Sequence, residues 1–198
     1  MLHEDCERLD PRIRRTRRLL QGALKRLLEA KEFDKITIQD IAEAATLNRA
    51  TFYAHYPDKF ALLEELIRLN FLELLDRRNI SFDGTCATAF HPVILAVCDY
   101  LAELQKSLSS KHLQFEPFVE RTVIDQIRVI LMDGYKKHPS ERTISPELIA
   151  ATASWAIYGA AKQWVNSPER IPAEEFVVTA VNLVRPILAA GQVSPAAA

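Results

Sequence analysis

The chain has 198 residues, 48% of them apolar and 26% charged, with a formal net charge of −1. This is room for one sizeable domain, or a small one beside a larger one, with a well-buried core. Near-neutrality argues against a general nucleic-acid binder, and no apolar run approaches the ~20 residues that span a bilayer.

Three cysteines (Cys6, Cys86 and Cys98) show no CxxC or zinc spacing, which fits a reducing cytoplasm. The charged first residues lack the apolar segment of a secretory leader. Scarce Gly and plentiful Leu, Ala, Ile and Glu lean all-α.

In chain order, residues 1–10 read as a polar arm. Pro11 then opens a helix to about Lys31, since Pro suits a first helical position. Its buried stripe is Ile13, Leu20, Ala23, Leu24, Leu27 and Leu28. Between Arg12 and Arg26 stand seven basic residues and no acidic one (Arg12, Arg14, Arg15, Arg17, Arg18, Lys25, Arg26). Such a run is usually a solvated face. Lying just before the motif that follows, it also offers Arg14, Arg15, Arg17 and Arg18 to phosphate. Phe33 and Ile36 should plug a small three-helix module.

The run TIQDIAEAATLNRATFYAHYPDK, Thr37 to Lys59, reads as two short helices and a tight turn. Thr37 can cap the first, with Asp40 in the capping-box place. Ile38, Ile41, Ala42 and Ala45 form its apolar face. Thr46-Leu47-Asn48 breaks the pattern; Leu47 should lie between the helices and Asn48 cap the second. From Arg49 to about Tyr56 this second helix presents Arg49, Thr51, Tyr53, His55 and Tyr56, donors suited to phosphates and base edges. Phe52 and Ala50 are left to face inward. Pro57 stops the helix and Asp58 can cap the next.

Asp58 to Arg78 predicts a helix about 30 Å long, its period held by Phe60, Leu63, Ile67, Phe71 and Leu74. Asp83-Gly84 marks a loop and boundary over 79–88. Helices follow over Phe90–Leu108 and Pro117–Lys137, with a short ambiguous stretch at His112–Phe115. Ser145-Pro146 opens a small-sided helix to about Asn166, anchored by Trp155 and Trp164. The last helix, Pro172 to about Ala190, is apolar around much of its girth. Pro186 should kink it or loosen its final turn, and Gly191 end it.

The stretch TIQDIAEAATLNRATFYAHYPDKFALLEEL resembles the DNA-binding signature of TetR-family transcriptional regulators, over roughly Arg12 to Leu66. Thr46 departs from the pattern, standing where the family has Gly; Thr takes that backbone only with strain. The resemblance implies an all-α protein of about nine helices. Residues 11–57 would form a three-helix DNA-binding domain and 58–190 a larger ligand-binding and dimerisation domain. Within the latter, 58–78 would link, while 145–166 and 172–190 would build a four-helix homodimer bundle.

It implies that Lys59 touches the DNA backbone, and it adds Thr37, Asn48, Arg49, Thr51, Tyr53, His55, Tyr56, Arg14 and Arg15 as contacts to a palindromic double-stranded operator. It also implies a small apolar or aromatic ligand. Candidate lining residues are Phe71, Cys98, Leu101, Phe115, Phe118, Ile127, Trp155 and Tyr158, each of which could equally be ordinary core. A rival reading is a helical regulator acting through a protein partner, without a small-molecule inducer.

Enzyme chemistry finds little support. The five histidines (His3, His55, His91, His112, His138) stand singly, without the i, i+4 pairing of a helical zinc site. No nucleophile elbow or Gly-rich phosphate loop occurs. No cofactor, metal or membrane partner is expected.

Overall fold

The computed structural model describes residues 10–78, 90–107, 115–139 and 142–192. Expectations for residues 1–9, the 79–88 loop, His112 and the tail after Gln192 lie outside them.

The described residues form eight α-helices and one 3-10 turn: α1 (Pro11–Ala30), the turn Phe33–Lys35, α2 (Ile38–Ala44), α3 (Arg49–Tyr53), α4 (Lys59–Arg77), α5 (Phe90–Ser107), α6 (Glu116–Lys137), α7 (Pro146–Val165) and α8 (Ala173–Ala189). The fold is all-α, as the composition suggested. An antiparallel bridge joins Arg142 to Gln192.

Local chemistry sets the helix ends. The Asp10 carboxylate accepts from the Arg12 N–H at 2.8 Å and caps α1, a cap the sequence reading did not assign. The Asp58 carboxylate accepts from the Ala61 N–H at 2.8 Å at the head of α4. Ser145 caps α7, with Pro146 following. Pro186 sits within α8, which continues through it to Ala189. The chain then turns at Gly191, φ +71°.

Two compact units result. The first takes the described residues up to Leu72, together with 115–119; the second takes the rest. This limit does not coincide with the expected boundary at 57/58. Residues 59–72 of α4 belong with the head, and α6 likewise gives 116–119 to the first unit and 120–137 to the second.

In the first unit α1 packs on α2, and α2 on α3. Its core includes Leu20, Leu24, Phe33, Ile36, Ile41, Phe52 and Phe71, all buried. Four rings form a chain within it. Phe115 meets Phe33 edge-on, Phe33 meets Phe60 edge-on, and Phe60 stacks on Phe118, each with centroids 5.4 Å apart.

In the second unit α5, α7 and α8 pack mutually. The Trp164 indole N–H donates to the Ile171 carbonyl at 2.8 Å, and its ring stacks on Phe176 at 5.8 Å.

Candidate nucleic-acid interface

The interface is built from α2, its turn and α3. At the start of α2 the Thr37 hydroxyl accepts from the Asp40 N–H at 3.1 Å. The Asp40 carboxylate accepts from the Thr37 N–H at 2.8 Å and from its hydroxyl at 2.9 Å. The capping box is therefore closed, and Lys31 adds an ion pair to Asp40 at 2.9 Å. The Thr37 backbone N–H, helped by the Lys31 ammonium and the Thr37 hydroxyl, holds the Asp40 carboxyl at about 2, below the ordinary 3.8.

At the other end of α2, Thr46 N–H donates to Glu43 O at 2.9 Å and Leu47 N–H donates to Ala42 O at 2.8 Å. These two bonds are a Schellman closure, whose outer residue is left-handed and usually Gly. Thr46 fills that place at φ +58°. Arg26 reaches from α1 to donate to the Ala44 carbonyl at 2.8 Å, so this member of the basic run caps a helix end.

The second helix is shorter than expected, ending at Tyr53. Asn48 caps it: its side-chain oxygen accepts from the Thr51 N–H at 2.7 Å and the Thr51 hydroxyl at 2.9 Å. That bond commits the Asn48 oxygen and leaves its amide NH2 to donate outward. Arg49 donates to the Tyr53 hydroxyl at 3.1 Å, with its guanidinium over the Tyr53 ring at 5.7 Å. Both are exposed. The pair presents a planar fork of donors beside a phenol O–H, suited to base edges and phosphates.

Several expectations need correction. Ala50 is exposed; it stands two residues from fully buried Phe52, so one 3.6-residue helix cannot turn both inward. Tyr56 is only 4% exposed. Its ring packs against Phe52 at 6.0 Å, its hydroxyl accepts from Gln21 at 3.2 Å, and the Arg17 guanidinium lies 5.5 Å over its ring. It is a core residue tying α3 to α1, and burial raises its pKa. His55 is half-buried; burial, with the charge of Arg17, lowers its pKa and favours a neutral imidazole.

Lys59, expected at the phosphate, is engaged inside its own head. Its ammonium donates to the carbonyls of Phe33 at 2.9 Å, Asp34 at 3.3 Å and Ile36 at 2.9 Å. Exposed Thr37 and Arg15 and half-buried Arg14 flank α2 and α3 in sequence. Among the described residues, the side chains of Arg14 and Arg15 have no partner.

The expected ligand-lining residues divide between the units. Phe71 is fully buried in the first unit, where Phe115 and Phe118 join the ring chain. Cys98, Leu101, Ile127 and Tyr158 are buried in the second. Burial pushes the Cys98 thiol up to about 12, so it behaves as a small apolar core group. Trp155 is 59% exposed and cannot line an interior. It shares the outer face of α7 with Leu148, Thr152 and Gly159, opposite buried Ile149, Ala153, Ile157 and Ala161.

A capped first helix, a Schellman turn and a short second helix with an exposed Arg–Tyr pair define a helix-turn-helix, the reading head of transcriptional regulators. Residues 20–66 match the profile of the bacterial regulatory proteins, tetR family.

Two curated relatives agree. The uncharacterized HTH-type transcriptional regulator YxbF of Bacillus subtilis (strain 168) is 40% identical over 79 residues, 39% of this chain and 21% of that protein. The HTH-type transcriptional regulator EthR of Mycolicibacterium smegmatis (strain ATCC 700084 / mc(2)155) is 40% identical over 60 residues, 30% of this chain and 26% of that protein. The chain thus spans about a fifth to a quarter of the length of the curated relatives it matches.

A TetR transcriptional regulator from Streptococcus agalactiae 2603V shares the fold, with a TM-score of 0.54 at 21% identity over 87% of this chain and 95% of that one. Over residues 20–66 the chain thus carries the DNA-binding region of the bacterial regulatory proteins, tetR family. The family and these relatives are regulators, not enzymes. Among the described residues no helix is long and apolar enough to cross a membrane.

Proposed function

We propose that the chain is a cytoplasmic, homodimeric, sequence-specific regulator. In this reading it represses from a palindromic operator and is released by a small apolar or aromatic ligand. The exposed Arg49–Tyr53 pair on a capped second helix carries the proposal. Arg49, with the Asn48 amide, reads base edges; Tyr53, Thr51, Thr37, Arg14 and Arg15 hold phosphates.

A five-residue reading helix covers few base pairs, so affinity requires two heads on half-sites roughly 34 Å or more apart. The support for pairing is an apolar outer face. Leu148 and Trp155 on α7 are 60% and 59% exposed, and Val178 and Leu183 on α8 are 57% and 65% exposed. Four large apolar side chains on two packed helices mark a surface that a second copy would cover.

The ligand would lie in the second unit, where Cys98, Leu101, Ile127 and Tyr158 are buried with the polar side chains of Thr122, Gln126 and Ser154. An apolar enclosure with few polar groups is the usual form of a small-molecule site. Coupling of about 1–3 kcal/mol between ligand and operator would shift occupancy substantially.

The test is selection of bound duplexes from a random library. Enrichment of inverted repeats, with preference altered by Arg49→Ala, is the expected result. Equal loss on every sequence would make Arg49 a backbone contact, and no enrichment at low salt would end the proposal.

A further inference from the structure

We infer that Lys59 is a positioning residue that closes the helix-turn-helix on itself, and that it acts through a cradle of backbone carbonyls and not through a DNA phosphate. The inference rests on the DNA-binding reading above and assigns this cation a different task within it.

The geometry is specific. A lysine ammonium has three N–H donors and no more. All three are matched by the carbonyls of Phe33, Asp34 and Ile36. These carbonyls belong to the 3-10 turn before α2 and its cap, where helical partners run out. The Phe33 oxygen also accepts from the Ile36 N–H at 2.9 Å, so both its lone pairs are used.

The surroundings strengthen the contact. The ammonium lies 4.5 Å from the centroid of the Phe33 ring and 5.7 Å from that of Phe60. Phe115 and Phe118 extend the same ring wall. An ammonium walled by rings and partly withdrawn from water holds its hydrogen bonds more strongly than a surface lysine would.

The cradle and its cation bracket the whole motif. Residues 37–58 leave from one side of the contact and return at the other, so Lys59 pins the exit of the helix-turn-helix to its entrance. Releasing it frees both ends of the segment that aims Arg49. A phosphate contact would instead require the ammonium to abandon the three carbonyls.

Two variants separate these roles, using a labelled inverted-repeat duplex recovered by selection and a random-sequence duplex. Arginine would serve a phosphate at least as well as lysine, but its planar fork cannot reproduce three-point donation from one nitrogen. Under the inference, Lys59→Arg and Lys59→Met both weaken binding of the selected duplex, by about tenfold or more. The random duplex loses less, and the salt slope stays at the wild-type value. Wild-type affinity in Lys59→Arg overturns the inference. So does a slope lowered by about one unit in Lys59→Met and restored in Lys59→Arg.

Should either variant unfold, the wild-type chain decides. Nitrogen-15 lysine NMR of the free protein should show the Lys59 ammonium protons exchanging slowly; rapid exchange like that of surface lysines overturns the inference. A wild-type chain that binds no duplex overturns the DNA reading itself, a separable result because the ammonium signal needs no DNA.

Discussion

Thr46→Gly should stabilise the reading head. Thr46 sits at φ +58° with its N–H given to Glu43, while Leu47 gives its own to Ala42, so the turn cannot relax without breaking the closure of α2. A left-handed L-residue costs about 1–2 kcal/mol. Glycine removes that cost but adds about 0.4–1 kcal/mol of freedom to the unfolded chain. The Thr46 side chain is exposed and has no partner among the described residues, so its removal forfeits little. The net gain is about 0.5–1 kcal/mol, or about 1–4 °C in melting temperature for a chain of this length. Amide exchange at Ala45 and Leu47 isolates the head from the second unit and should slow by the matching factor. Thr46→Asn should fall between the two, since Asn tolerates this conformation better than Thr. Unchanged or faster exchange in Thr46→Gly would refute the strain argument.

Other outcomes follow from the same physics. Because the folded Asp40 carboxyl lies at about 2 against an ordinary 3.8, its stabilisation is complete above about pH 4 and is lost as pH falls toward 2. Asp40→Asn should remove that acid-side slope, and carboxyl NMR titration checks the value. Trp155→Glu should leave the helical circular dichroism unchanged and shift sedimentation toward monomer, since Trp155 is 59% exposed; an unshifted dimer would exclude this face. Gly191→Ala would bring a Cβ within 2.8 Å of the Ile144 backbone nitrogen at a positive φ. The expected loss is about 1–3 kcal/mol, read by urea unfolding, and a neutral result would mean the 142–144 segment yields freely.

Much of the head was legible because its rules are local. Thr37 with Asp40, Asn48 before α3, Asp58 before α4 and Ser145 before α7 are caps that need only neighbours in sequence, and each forms. The misfit of Thr46 was visible for the same reason. Side-chain destinations across the fold were not. Tyr56 reads as an exposed donor until Gln21 and Phe52 enclose it, and Lys59 reads as a surface cation until the carbonyls of the 3-10 turn surround it. Trp155 looks like an interior anchor because its helix is small-sided and apolar throughout, so periodicity could not say which face turned in. Phe115, in a stretch with no clear period, gave no sign that its ring would reach Phe33.

The two indoles of α7 have opposite surroundings, and this makes the chain its own optical reporter. Trp155 stands in solvent at 59% exposure, while Trp164 is 8% exposed, stacked on Phe176 with the Arg170 guanidinium 5.1 Å over its ring. Emission from the first should shift to the blue when another surface covers it, and emission from the second to the red only when the α7–α8 corner comes apart. Replacing either one by phenylalanine leaves a single indole beside the five tyrosines, so association and unfolding can be followed in separate variants by selective tryptophan excitation, without any attached dye.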